Sequence, residues 1–358
     1  MTTTGQTPRA TGGWREGDPN GRRLWHAHDG GLAGLPEVRL AYETWGALNQ
    51  DRSNAVLVLH ALTGDSHVSG GVEPGHPTPG WWDALIGPGK PLDPAHWFVV
   101  APNVLGGCQG STGPLSAAPD GKPWGSRFPL VTARDQVAAE VALTDALGID
   151  SWAAVLGGSM GGMRAVEWAV GHPDRLRSLL LLAVPAAASA EQIALASAQV
   201  HAVRADPVLG LGIARRIAHI SYRTEAELAA RFGRKPQGDG RFAVESYLDH
   251  HADKLVRRFD PDSYVVLTES MNSHDVGRDR GGVRAALRRV TARTIVAGVD
   301  TDRLFPLAQQ AELAAGITTA DDLRVVTSEY GHDAFLIESD QVGALVRELL
   351  PARVPSDV

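Results

Sequence analysis

The stretch AAVLGGSMGGMRAVEWAV, residues 153–170, sets one serine between two pairs of glycines, with an apolar run ahead of it and a helical pattern behind. Gly157, Gly158, Ser159, Met160 and Gly161 fit G-x-S-x-G, a weak signal alone because its residues are common. Context strengthens it. WAAVL predicts a strand immediately before the serine and MRAVEWAV a helix immediately after, the strand-turn-helix setting that lifts a nucleophilic hydroxyl to the end of a sheet. So tight a turn needs small neighbours, which Gly157 and Gly161 supply.

A serine hydroxyl is a poor nucleophile near neutral pH, so it needs a base within hydrogen-bond reach and a third group to orient that base. With this kind of turn the acid follows the serine in the chain and the histidine comes last. His332, in SEYGHDAF after the last strand-like run, is the only histidine beyond His274. The loop one strand earlier, DTDRLFP, offers Asp300 and Asp302, which spacing does not separate. Two backbone amides aimed at the developing alkoxide would complete the site. Met160 supplies one, and Ala61 to Thr63, in VLVLHALTGD after an early strand, the other.

Around this centre the chain alternates short β-branched or Leu-rich runs with helical patterns. NAVLVLHAL, WFVVAPNVLG, SLLLLAVP and TIVAGV are near-continuous apolar, as strands buried on both faces are. RDQVAAEVALTDALGI has the three- and four-residue apolar spacing of a helix. Such alternation predicts an α/β chain with a mostly parallel central sheet. Residues 186–282 differ: AEQIALASAQVHAVRA, GIARRIAHI, EAELAARFG and FAVESYLDHHADKLVRRF are helical with no buried strand, and predict a helical lid inserted into a core of 23–185 and 283–358. Residues 1–22, rich in Gly, Thr and Arg without apolar period, are expected to form a disordered tail.

Composition bounds the partners. The 358 residues are 43% hydrophobic and carry a formal net charge of -7 without a long basic run, which gives no reason to expect nucleic acid or membrane as partner. No stretch resembles a signal peptide or a membrane span, so a cytoplasmic location is expected. The single cysteine, Cys108, excludes an intrachain disulfide or a four-thiolate zinc site. GGCQGSTG lacks the lysine of a phosphate-binding loop, and the adjacent histidines of DHHAD point to different helix faces, so neither a cofactor nor a metal is expected.

Taken together, HALTGDSH, GHPTPGWWD, NVLGGCQGSTGP, GKPWGSRFPL, GGSMGG, YLDHHADKLVRRFD, MNSHDVGRDRGG, DTDRLFP and YGHDAFLIE resemble the homoserine O-acetyltransferase family of the α/β-hydrolase superfamily, over about Val38 to Leu350. The resemblance implies the α/β-hydrolase fold with Ser159 as nucleophile, Asp302 rather than Asp300 as acid, His332 as base, and Leu62 and Met160 as oxyanion-hole amides. It implies acetyl transfer from acetyl-CoA to the γ-hydroxyl of L-homoserine through an acyl-serine, by a ping-pong route in methionine biosynthesis. Asp333 would hold the substrate amine and Arg215 its carboxylate, and the enzyme would be a homodimer. Between RADP and ARR the chain has only VLGLGI, shorter than the family's usual insert, which keeps Arg216 and Arg223 as substitutes for Arg215.

Other outcomes share this machinery. Water can attack the same acyl-enzyme, so a serine ester hydrolase is the main rival, and only exclusion of water separates the two. Succinyl-CoA as donor and serine as acceptor are further alternatives on the same scaffold. A binding protein that has lost catalysis is the third class, disfavoured by complete partners at Ser159, Asp302 and His332.

Overall fold

The computed structural model describes residues 11–350. Two strands, β1 (Leu24–His28) and β2 (Val38–Trp45), form a hairpin-like antiparallel edge. The sheet proper follows with β3 (Ala55–Leu59), β4 (Phe98–Pro102), helix α1 (Ala133–Ala146), β5 (Ala154–Gly158), helix α2 (Met160–Gly171) and β6 (Ser178–Leu182). Five helices then run without a strand: α3 (Ala190–Ala205), α4 (Pro207–Tyr222), α5 (Glu225–Arg231), α6 (Ala243–Val256) and α7 (Pro261–Asn272). After the short α8 (Val283–Leu287), β7 (Arg293–Val299), α9 (Leu307–Gly316), β8 (Arg324–Val326), α10 (Ala334–Ile337) and α11 (Ser339–Leu349) complete the chain. The sheet order is β1-β2-β4-β3-β5-β6-β7-β8, antiparallel at the first two pairs and parallel from β4 to β8.

The apolar runs form central strands because both of their faces are covered. Val56 and Val58 of β3 pack in a cluster with Trp82, Trp97 and the Val342, Leu345 and Val346 face of α11. Leu57 and Leu59 face the other way, onto Met163, Val166 and Val170 of α2. Because side chains alternate along a strand, one continuous run of five buried residues feeds two cores.

The helical segment leaves and rejoins the sheet at a narrow neck, where Ala187 pairs with Asp275 in an antiparallel bridge. Its helices start where the sequence provides caps: Ser189 and Gln192 make a reciprocal capping box on α3, and Asp206 accepts the first free amides of α4 ahead of Pro207. Their inner faces form a cluster of Val200, Val203, Leu211, Ala214, Leu255 and Tyr264 that also includes Leu62 and Met160, so the insertion lies over the two loops beside the serine.

One expectation is corrected. Residues 11–22 were assigned to a disordered tail, yet the described part is docked: Gly12 donates to the Val256 carbonyl at 2.9 Å, Trp14 donates to that of Cys108 at 2.8 Å, and the Trp14 ring lies 5.3 Å from Trp25. Glu16 also pairs with Arg39 at 3.1 Å and Arg22 donates to the Thr44 carbonyl at 3.2 Å, so the segment is held by backbone bonds, one aromatic and polar contacts, which leave no apolar period to read. The rest of that assignment, residues 1–10, lies outside the described residues. No helix among the described residues is long and apolar enough to cross a membrane.

Candidate active site

The turn after β5 forces Ser159 into a strained backbone, φ 55° and ψ -126°, at the start of α2. Non-glycine residues rarely adopt such angles, and a strained residue persists where its surroundings over-determine it. Here they do. The Ser159 amide donates to the Leu182 carbonyl of β6 at 3.0 Å, and α2 approaches β3 so closely that a Cβ on Gly161 would sit 2.0 Å from the Leu59 carbonyl oxygen.

His332 follows β8 in a loop that turns back beneath the lid. Gly331 takes φ +61°, and any Cβ there would meet the Tyr222 carbonyl oxygen at 2.4 Å, so the loop and α4 are in backbone contact. The His332 Nε2 lies 2.9 Å from Ser159 Oγ, and its Nδ1 lies 2.6 Å from Asp302 Oδ2. A carboxylate only accepts, so Nδ1 carries the proton and Nε2 is left to receive the hydroxyl's. Asp302 is fixed in turn by the amides of Leu304 and Phe305, each donating to Oδ1 at 2.9 Å. Asp300 points elsewhere and accepts from the Ser328 amide at 3.1 Å. Phe305, Phe335 and Tyr222 wall the imidazole at centroid distances of 4.7, 5.5 and 5.6 Å. Ser159 and His332 keep only 6% and 4% of their surface exposed, so the reacting atoms are sheltered from bulk water.

Met160 follows Ser159 directly, and Leu62, in the loop after β3, belongs to the same buried cluster as Met160. Met160 opens its helix, so its N–H has no partner within α2. Neither amide has a protein acceptor among the described residues. A developing oxyanion requires unengaged donors of this kind.

The candidate substrate residues separate into distinct environments. Arg215, on α4, reaches Thr63 Oγ1 at 3.5 Å and lies 5.9 Å from the Tyr222 ring, with its Nε buried and unpartnered. Asp333, next to the base, pairs with Arg223 Nε at 3.5 Å. Burial alone would lower the Arg223 guanidinium, but Asp333, Tyr247 and Glu227 together outweigh it and hold Arg223 above its ordinary value. Arg216 is taken out of the set of substitutes: it turns to Asp249 on α6 at 2.6 Å. Beside the imidazole opens a cavity of about 50 Å³ lined by Leu62, Met163, Gln199, Tyr222, Thr268 and Phe305 among others. The Thr268 hydroxyl there has no partner.

Two buried polar groups went unnoticed in the sequence. One is Glu43, His67 and His76, whose candidate ligand atoms lie within 4.8 Å of one another. The imidazoles stack at 3.9 Å with planes 10° apart, so a cation in the plane of one ring would lie out of the plane of the other. Glu43 is moreover engaged by Ser66 Oγ at 2.8 Å and His67 Nδ1 at 3.1 Å, and against burial, which raises it, His67, His76 and Ser66 together hold it below the usual carboxylate range. The geometry is that of a hydrogen-bonded ion pair. The other is Glu140 with Arg164, behind the serine turn. His67 and His76 lie in the HALTGDSH and GHPTPGWWD stretches, but neither grouping is marked as such, because each joins residues far apart in the chain. The histidines of DHHAD join aromatic packing instead: His251 lies 4.0 Å from His219 and 4.5 Å from Tyr247.

Comparison with known proteins gives this geometry its relatives. Residues 54–339 match the family described as alpha/beta hydrolase fold. The chain is 64% identical over 369 residues to a homoserine O-acetyltransferase of Thermobifida fusca, covering 95% of this chain and 97% of that one. It superposes on a homoserine O-acetyltransferase structure from Bacillus anthracis with a TM-score of 0.83 at 24% identity, over 94% and 99% of the two chains, a likeness of fold. An acetylester hydrolase structure from Corynebacterium glutamicum matches with a TM-score of 0.77 at 28% identity, over 92% and 96%.

Proposed function

Because the chain belongs to the homoserine O-acetyltransferase family, within the alpha/beta hydrolase fold, we propose that it moves an acetyl group from acetyl-CoA to the γ-hydroxyl of L-homoserine through an acetyl ester on Ser159. The observation that carries this reading is the unbroken chain from Ser159 Oγ to His332 to Asp302. Ser159 Oγ attacks the thioester carbonyl while His332 Nε2 takes its proton. The tetrahedral oxyanion is met by the Leu62 and Met160 amides, and its collapse expels the CoA thiolate, which receives the proton from His332. The homoserine hydroxyl then attacks the ester, gives its proton to His332, and leaves as the acetyl ester when Ser159 recovers that proton. Asp302 holds the tautomer throughout and offsets the imidazolium charge. Side chains and amides suffice for every step, so the reading includes no resident cofactor.

An amino-acid acceptor needs both of its charges met. Arg215, whose Nη1 reaches Thr63 while its Nε is buried and unpartnered, suits the carboxylate, and Asp333 suits the ammonium. Arg223 already neutralises Asp333, so an arriving ammonium shares that carboxylate with it. The cavity beside His332 suits a short acyl group with the end of the pantetheine arm. We infer that the product lies on the way to methionine and that the enzyme works in the cytoplasm, where a coenzyme A thioester and a free amino acid meet.

The test is intact mass after mixing with acetyl-CoA. The protein should gain one acetyl group, lose it on addition of homoserine, and gain none as Ser159→Ala, which stays folded. Arg215→Ala should raise the homoserine KM and leave acetylation by the donor unchanged. The similarity to an acetylester hydrolase defines the second reading: acetate released at a rate indifferent to homoserine would establish hydrolysis and end the transferase account.

A further inference from the structure

Arg164 lies in α2 five residues after Ser159, surrounded by Met163, Ala165, Val166 and Trp168, and has no exposed surface. Burying a guanidinium is costly unless it is paired and its donors are used. Its Nη1 donates to Glu140 Oε1 at 2.5 Å, and the other carboxylate oxygen accepts the Trp168 indole N–H at 2.7 Å. Burial raises Glu140 and lowers Arg164, but the ordinary values of a carboxyl and a guanidinium are so far apart that the pair remains ionised. A pair this expensive is weak evidence for stability, and its use should be sought in what it holds.

A second nitrogen shows what that is, while the Nε stays buried without a partner. Arg164 Nη2 donates to the backbone carbonyl of His60 at 2.7 Å, at the end of β3 where the oxyanion loop begins. The His60 ring is held at both nitrogens. Its Nε2 accepts the Val104 amide at 3.0 Å, which requires Nδ1 to carry the proton and donate to the Ala61 carbonyl at 2.8 Å. Burial first, and the Arg164 charge second, push His60 down to about 3, so this neutral tautomer persists across physiological pH. The Ala61 carbonyl also accepts from the Gly64 amide at 2.9 Å. That carbonyl and the Leu62 N–H belong to one planar trans peptide and point in opposite directions. Whatever fixes the Ala61 oxygen therefore aims the Leu62 N–H.

We propose that Arg164, held by Glu140, is a positioning residue for the oxyanion hole: it anchors His60, whose ring fixes the Ala61–Leu62 peptide with its N–H turned toward the acyl oxygen. The inference rests on the acyl-serine reading above and adds a device behind the hole. It touches neither substrate, so it acts on the step at which the oxyanion forms.

The test compares Arg164→Met and Arg164→Lys with the parent enzyme in both half-reactions and in hydrolysis of p-nitrophenyl acetate. Loss of one oxyanion donor costs about 100- to 1000-fold in kcat, and misaiming it should cost a part of that, about 10- to 100-fold for Arg164→Met. The KM values for acetyl-CoA and homoserine should stay within about twofold, since neither substrate is contacted. Affinity for an alkyl trifluoromethyl ketone, whose serine adduct places an oxyanion in the hole, should fall in step with kcat. Arg164→Lys keeps the charge but cannot reach both partners, and should lie between. Thermal unfolding and near-ultraviolet circular dichroism report the folded fraction, and if Arg164→Met does not fold, Arg164→Lys decides alone. Unchanged kcat in a folded variant, a loss confined to KM, or a lower kcat with undiminished ketone affinity would each overturn the proposal. Failure of the parent enzyme to take acetyl from acetyl-CoA would instead sink the functional reading, and the p-nitrophenyl acetate comparison would still judge Arg164.

Discussion

Asp300 and Asp302 sit two residues apart after the same strand, and nothing in their spacing separates them; direction does. Asp302 meets the His332 Nδ1, while Asp300 turns to the Ser328 amide. Replacing Asp302 by Asn keeps the size but presents an NH2 or a weaker acceptor to Nδ1, which frees the imidazole to take the tautomer that cannot accept the serine proton. We therefore expect Asp302→Asn to lower kcat about 1000- to 10,000-fold with little change in KM. Asp300→Asn should keep activity within a few-fold, because an amide oxygen can still accept from Ser328. Steady-state kinetics on the two folded variants check this, and equal losses would mean that the loop, not the contact with the base, matters. The serine was readable because its turn imposes small residues at fixed offsets. Glu140 and Arg164 were not, since their pairing joins two helices and leaves no local pattern.

The helices of the insertion show both the reach and the limit of reading by periodicity. Four of the five and the change of texture after β6 are visible, those of α3 and α4 through a cap and an apolar face, while α7 (Pro261–Asn272), buried along most of its length, offers no polar face to set its period apart. What the outer faces do is not, since one sequence shows a stripe without its partner. Leu209, Ile213 and Ile220 of α4 remain 62%, 38% and 46% exposed at helical spacing on one side, with Ile193 of α3 at 41%. Water-facing apolar residues gathered on neighbouring helices favour association, and this is the surface on which the expected homodimer would form. Leu209→Glu with Ile213→Glu should then shift the protein from dimer to monomer in sedimentation velocity. A parent protein that is already monomeric would end the dimer reading, and an unshifted dimer would move its interface elsewhere. The docked residues 11–22 mark the same limit from the other side, because a segment held by main-chain bonds, one aromatic and polar contacts has no apolar pattern to betray it.

The whole molecule depends on the neck that joins lid to sheet, and a neutral histidine sits in it. The backbone of His274 accepts from the Ala188 amide, Val276 donates to Ala186, and the His274 ring donates from Nε2 to the Pro185 carbonyl at 3.1 Å. Burial pushes His274 down to about 4, as it pushes His60 to about 3 and His219 to about 2. An unfolded chain protonates these rings near their ordinary value of 6.5 while the folded chain does not, so the unfolded state binds more protons below that pH. Stability therefore falls as pH drops from about 6.5 toward about 4, by up to about 1.4 kcal/mol per pH unit for each fully buried ring. His67 works in the opposite sense: Glu43 raises it, so its contribution is complete below 6.5 and fades as pH rises through the raised value. Its slope lies above 6.5, so it does not cancel theirs, which lie below. His274→Gln removes the titrating ring and keeps a donor for Pro185, so urea unfolding of this variant should show a pH slope between 6.5 and 5 shallower than the parent's by about 1.4 kcal/mol per unit. Limited proteolysis at pH 5 should in addition cut the parent near the neck sooner than the variant, since the proton enters where the lid is attached. Identical slopes and identical cleavage would mean that the ring is already solvated in the native state, and that the neck is not where acid acts.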